Sequence, residues 1–191
     1  AGFYSGEFGE NQTKIAIAMN QMMTGNTFLY YGDEIGMRYQ GQLTSKEGGF
    51  GRTGSRTPMQ WTNGKNLGFS TADEDKLYLP VDKSEDAPTV ENQQNNPDSI
   101  FYTVKDIIKI RRDNNSDLGP DGEFEVLYAE RNKYPFVYKR GSFIVGVNPS
   151  ANAEAVDFGY EIKETVYQIG DAKVENGKLT LQGQSFILVK I

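Results

Sequence analysis

Asn26-Thr27-Phe28-Leu29-Tyr30-Tyr31-Gly32-Asp33-Glu34-Ile35-Gly36-Met37 opens on residues that favour a strand and closes on residues that favour a turn. From Thr27 to Tyr31 the side chains are β-branched, aromatic or aliphatic with no polar face alternating, the pattern of a strand covered on both sides. Gly32 stops it. A helical pattern precedes this strand and another follows much later, which is the rhythm of an α/β unit rather than of an antiparallel meander. In such units chemistry collects beyond the carboxyl ends of strands, so ligand contacts are expected from Gly32 onward. That loop runs to Ser55-Arg56-Thr57-Pro58-Met59-Gln60-Trp61, a guanidinium and an indole on one short stretch.

On the amino-terminal side, Ile15, Ala18, Met19 and Met22 recur at helical spacing and predict an amphipathic helix over Gly9 to Met23, with Gly25 as its left-handed terminator. Met22 and Met23 read as core filler. On the other side, Arg38 to Asn66 has no period of either kind and is expected to be a long loop. Its glycines, Gly48, Gly49, Gly51 and Gly54, fit neither phosphate-binding spacing and read as loop glycines. Asn66 to Pro97 is a second irregular passage around one apolar island, Leu77 to Val81. A helix is expected from Ser99 to Arg112, capped by Asp98 or Ser99 and burying Ile100, Val104, Ile107 and Ile108. Arg111 and Arg112 fall in its last turn, where cations offset the helix dipole.

Asp113 to Gly122 breaks every pattern and is the expected domain boundary. Beyond it the chain turns to short runs separated by turn signals. Strands are predicted at Glu123–Glu130, Phe136–Arg140, Ser142–Asn148, Ala155–Phe158, Thr165–Ile169, Lys178–Leu181 and Ser185–Ile191. Asn176-Gly177 marks a hairpin. This spacing implies a small all-β sandwich or Greek-key unit.

The 191 residues carry 20 Lys and Arg against 26 Asp and Glu, a net charge of −6, which argues against a phosphate-tracking nucleic-acid binder or an anionic-membrane binder. There is no cysteine and no histidine. Disulfides, thiolate metal sites and His-dependent nucleophilic centres are therefore excluded within this chain, and no metal or other cofactor is expected. No apolar run approaches the ~20 residues needed to span a bilayer. With 12% aromatic residues, eleven of them Tyr, the chain is well supplied with groups that suit either a β core or a sugar surface. It opens on Ala1-Gly2-Phe3-Tyr4, as an internal piece of a longer protein would.

The octet Tyr30-Tyr31-Gly32-Asp33-Glu34-Ile35-Gly36-Met37 followed by Arg56-Thr57-Pro58-Met59-Gln60-Trp61 resembles the eighth barrel strand and following loop of the α-amylase superfamily of glycoside hydrolases. Within it the chain is most similar to the oligo-1,6-glucosidase, α-glucosidase and trehalose synthase branch. The resemblance implies an α+β fragment: the C-terminal helix-strand-helix portion of a (β/α)8 barrel over residues 1–118, then an all-β Greek-key sandwich over residues 119–191. It also implies flanks of Thr27–Tyr31 that neighbouring strands would otherwise cover.

Retaining glycosidases need a carboxylate nucleophile and a carboxylic acid about 5 to 5.5 Å apart. In the resembled family these lie on loops after earlier strands, upstream of Ala1, so no residue of this chain is assigned a catalytic role and none a metal-binding role. Asp33 and Glu34 are expected to cap and orient the loop. Arg56 is the candidate substrate-binding residue, since its fork can bond two adjacent sugar hydroxyls or pair with a catalytic carboxylate. Trp61 and Met59 are expected to anchor the loop, and the competing role for Arg56 is a loop-fixing salt bridge. The implied function is that of a C-terminal fragment, itself inactive, of a retaining hydrolase or transglycosidase acting on α-glucosidic bonds. Its partners would be the missing barrel half and an oligosaccharide or α-glucan, with no nucleic acid and no membrane. The rival reading is a non-catalytic relative, such as a transporter heavy-chain ectodomain, or a carbohydrate-binding or scaffold module.

Overall fold

A computed structural model describes residues 9–41, 43, 44 and 50–191. It divides into two compact units: Leu29–Val104 with residues 9–13, and Lys14–Phe28 with Lys105–Ile191. No described helix is long and apolar enough to cross a membrane.

In the second unit, eight strands form two antiparallel sheets among the described residues: β1 (Glu125–Tyr128), β2 (Phe136–Arg140), β3 (Phe143–Asn148), β4 (Glu154–Asp157), β5 (Glu164–Ile169), β6 (Ala172–Glu175), β7 (Lys178–Leu181) and β8 (Ser185–Lys190). The larger sheet has the order β1-β2-β3-β8-β5, the smaller β4-β7-β6, so the chain crosses between sheets repeatedly and β8 returns between β3 and β5. Seven of these strands lie where alternation predicts them. The short β6 was not expected; it pairs with β7 through a two-residue hairpin in which Asn176 and Gly177 both have positive φ, 51° and 72°.

Every residue of β3 is buried, because the larger sheet is covered on both faces. On one face, Val137, Ile144, Ile187 and Val189 pack against Leu179 and Leu181 of the smaller sheet. On the other, Tyr138, Val145, Val147, Phe186 and Leu188 pack against helical residues of the same unit: Ile15, Ala18 and Met22 of α1 (Gly9–Met22), and Ile107 of the helix Ile100–Asp113. Each such burial contributes roughly 1.5–3 kcal/mol before entropy is counted. Gly146 lets the sheets approach: a Cβ there would lie 3.1 Å from both Ile187 and Leu179.

The end of α1 is held by two arginines rather than by its expected glycine. Gly25 is left-handed, with φ 74°, but stands three residues beyond Met22. Arg140, 0% exposed at the end of β2, donates to the carbonyls of Met22 (2.5 Å), Gly119 (2.6 Å) and Glu123 (2.9 Å). Arg111 donates to the carbonyls of Gln21, Met23 and Gly25. The cations therefore complement carbonyls at and beyond the end of α1, and for Arg111 this replaces the dipole compensation expected within its own helix. Burial, and then the neighbouring Arg111, push the Arg140 guanidinium below its ordinary range.

The break at Asp113–Gly122 is not structureless. Two short helices precede the strands: α2 (Val90–Gln94) in the first unit and α4 (Asn115–Leu118) in the second, with α3 (Ile100–Asp113) between them. Leu118 is fully buried in the helix-side core. Asp117 accepts from the Ser142 amide (3.1 Å) and hydroxyl (2.5 Å), which fixes the β2–β3 turn. In α3, Ile107 is buried but Ile108 is 43% exposed, so the apolar stripe is narrower than the spacing suggests. Ser99 takes the capping position, since its carbonyl accepts from Thr103. Its hydroxyl instead donates to the Gln93 carbonyl (2.7 Å), and the Gln93 side chain accepts from the Phe101 amide (3.3 Å).

Thr27–Tyr31 belongs to neither sheet. Phe28 is 86% exposed and Tyr30 48%, so the two-sided cover expected of this strand is absent among the described residues. The strand expected over Thr27–Tyr31 does not form: the segment carries no regular secondary structure, none of the eight strands pairs with it, and without ladder partners its backbone is not held extended in a sheet.

Candidate functional site

The first unit is built from turns. Gly32 (φ 89°) and Gly36 (φ 69°) are both left-handed and bracket a 3-10 turn over Asp33–Ile35. The Met37 amide closes it on the Gly32 carbonyl at 2.8 Å, and a Cβ on Gly32 would sit 2.6 Å from the Met37 sulfur. Ile35 and Met37 drive the turn inward, at 0% and 1% exposed. Asp33 and Tyr30 exchange bonds: the Asp33 carboxylate accepts from the Tyr30 amide (3.2 Å) and the Asp33 amide donates to the Tyr30 carbonyl (3.0 Å). Asp33 thus orients the turn. Glu34 does not share that task, since its Oε2 is shut away from solvent with no hydrogen bond among the described residues.

After the turn, Arg38 grips both carboxylate oxygens of Asp86 at 2.8 and 2.7 Å. This fork, above all its hydrogen bonds, holds the Asp86 carboxyl below the usual carboxylate range. The Gln40 amide bonds the Gly54 carbonyl at 3.0 Å, an approach so close that a Cβ on Gly54 would overlap the Gln40 carbonyl. Gly54 is therefore needed for main-chain approach and not merely for freedom. Gly48 and Gly49 lie outside the described residues.

Arg56-Thr57-Pro58-Met59-Gln60-Trp61 is fastened through its main chain and one amide. The Arg56 amide donates to the Thr53 carbonyl (3.0 Å), and the Tyr31 hydroxyl donates to the Thr57 carbonyl (3.0 Å). Gln60 is 1% exposed; its side chain donates to the Pro88 carbonyl. The carbonyls of Gln60 and Trp61 accept the Val90 and Glu91 amides, each at 3.0 Å, satisfying the otherwise orphaned donors that open α2. Thr89 caps the same helix by accepting from the Asn92 amide at 3.1 Å. Anchoring therefore falls to Gln60, which the sequence reading missed. The Trp61 indole, expected to anchor, is 48% exposed.

Arg56 is the exception within this fastened stretch: its residue is exposed, and no carboxylate among the described residues lies within ion-pair distance. The loop-fixing salt bridge that competed for this residue is not found among them. Burial raises the Tyr31 hydroxyl, with Tyr30 adding to the shift and the Arg56 charge opposing it, so the guanidinium is close enough for its field to be felt there. Among the described residues no three acidic side chains converge as a metal site would require. The arrangement can offer a planar, permanently charged donor on a fixed base.

A family model described as the catalytic domain of alpha amylase matches residues 4–118. The glucan 1,6-alpha-glucosidase of Streptococcus pneumoniae serotype 4 is 28% identical over 196 residues, covering 87% of this chain and 36% of that protein. The oligo-1,6-glucosidase of Heyndrickxia coagulans is 30% identical over 167 residues (71% and 29%), and the trehalose synthase of a Pimelobacter species 38% over 106 residues (53% and 18%). Among solved structures, the trehalulose synthase MutB of Pseudomonas mesoacidophila superposes with a TM-score of 0.82 at 21% identity, covering 95% of this chain and 38% of its own. The match thus spans between 18% and 38% of the length of these proteins. The shared fold is a C-terminal barrel portion followed by a β domain. With over half its length matched by the family model and both motifs in place, the chain belongs to the alpha-amylase family.

Proposed function

We propose that this chain is the C-terminal part of a glycoside hydrolase that cleaves α-glucosidic bonds of oligosaccharides. The observation that carries this reading is Arg56: an exposed guanidinium on a loop whose main chain is held on both sides, by the Thr53 carbonyl before it and by the Tyr31 hydroxyl at the Thr57 carbonyl after it. Such a donor can bond vicinal sugar hydroxyls bidentately or steady a carboxylate of the reaction centre. The names of the relatives, which include two 1,6-glucosidases, support this substrate class. The reaction would be a double displacement, with nucleophile and acid supplied by the remainder of the protein. A division of labour at 118/119, barrel before and β domain after, is supported by the family match ending at residue 118.

The test is direct. The 191-residue chain and the full-length protein containing it are each incubated with maltose, isomaltose and a chromogenic α-glucoside. Turnover by the full-length protein and silence from the chain are expected. Inactivity of the full-length protein on all three would favour a non-catalytic relative, and turnover by the chain alone would refute the assignment of catalysis to residues outside it.

A further inference from the structure

We propose that Tyr31 is a positioning residue for Arg56, acting through the Thr57 carbonyl; this rests on the sugar-binding reading of Arg56. The hydroxyl of Tyr31 reaches across 26 residues of sequence to that carbonyl at 3.0 Å. Thr57 precedes Pro58, which restricts Thr57 to extended conformations and has no amide of its own to tether the chain. The Arg56 amide is meanwhile bonded to the Thr53 carbonyl. Main-chain bonds thus hold Arg56 on its amino side and Tyr31 holds it on its carboxyl side, leaving only side-chain torsions free.

The tyrosine is itself fixed. Its ring lies against Tyr30, with centroids 4.7 Å apart, and the next residue is the left-handed Gly32 that starts the bracketed turn. The two motifs are joined by this bond: the turn end sets where the arginine stands. A donor held in place before ligand arrives loses less entropy on binding, so the effect belongs in affinity rather than in chemistry.

Tyr31→Phe keeps the ring and removes the donor. In the 191-residue chain labelled with 13C and 15N, the Thr57 carbonyl resonance should move upfield on this substitution. In the full-length protein acting on isomaltose, KM should rise about five-fold with kcat within about two-fold, the effect of losing one neutral hydrogen bond. In an Arg56→Ala background, Tyr31→Phe should change KM no further. An unmoved Thr57 resonance, or the same KM rise in both backgrounds, would overturn the proposal while leaving Arg56 as a sugar contact. If Arg56→Ala alone leaves KM and kcat unchanged, the sugar-binding reading itself falls, and the positioning role falls with it.

Discussion

Lys14–Phe28 with Lys105–Ile191 is held by packed apolar layers, whereas Leu29–Val104 is held largely by hydrogen bonds and ion pairs between its loops. In the first of these regions two apolar layers flank a five-stranded sheet, and even its buried charge, Arg140, serves helix-end carbonyls. In the second, fixed turns replace a layered core: left-handed glycines, amide-to-carbonyl bonds between distant loops, and a buried Gln60. The difference teaches where a functional side chain can be rigid yet exposed. An apolar layer immobilises a residue by covering it; a hydrogen-bonded loop can immobilise Arg56 by its backbone and leave its guanidinium in solvent.

The largest effect is expected from the charge inside the layered region. Arg140→Met leaves the carbonyls of Met22, Gly119 and Glu123 without their donor, and should cost about 3–5 kcal/mol in urea unfolding followed by far-UV circular dichroism. A loss below about 1 kcal/mol would mean that packing alone holds this helix end. Gly32→Ala probes the other region. Strain at φ 89° and the clash with Met37 should cost about 1–2 kcal/mol, read as faster amide exchange confined to residues 33–37. Equal loosening of β3 would show that the regions are not held separately.

Tyr138→Phe should go the opposite way. The Tyr138 hydroxyl has no hydrogen-bond partner among the described residues and burial raises it far above its usual range, so removing it should add about 1 kcal/mol to stability. The smallest effect concerns acid. The Ser142 hydroxyl and amide hold the Asp117 carboxyl below the usual carboxylate range. A depressed folded value stabilises above the unfolded one, near ~3.9, and that stability is lost as pH falls through the folded value. Asp117→Asn should therefore flatten the decline in melting temperature below about pH 4.

Much of the fold was legible because its signals are local. Alternation placed seven strands, and Asn176-Gly177 its hairpin. Helical spacing placed α1 and α3 within a residue or so. What was not legible depends on contacts far apart in sequence. Nothing local distinguishes fully buried Arg140 from half-buried Lys139 next to it. Arg111 could be assigned to its own helix end, but not to carbonyls some ninety residues earlier. At the site, the two motifs pointed to Arg56 and to the Asp33 turn, whereas Gln60 and the Tyr31 hydroxyl take their roles from partners at Pro88 and Thr57. A polar residue amid a fastened stretch was the available signal for Gln60. The Trp61 indole drew the attention that its main chain deserved.

The central claim is that the Arg56 side chain contacts sugar while its backbone belongs to the scaffold. Steady-state kinetics of Arg56→Ala in the full-length protein, with isomaltose as substrate and thermal unfolding measured on the same samples, tests it most directly. The account predicts a fall in kcat/KM on the order of 10- to 100-fold, as expected for losing charged hydrogen bonds, with the melting temperature unchanged. Unchanged kcat/KM, or a loss that tracks a lowered melting temperature, would contradict it.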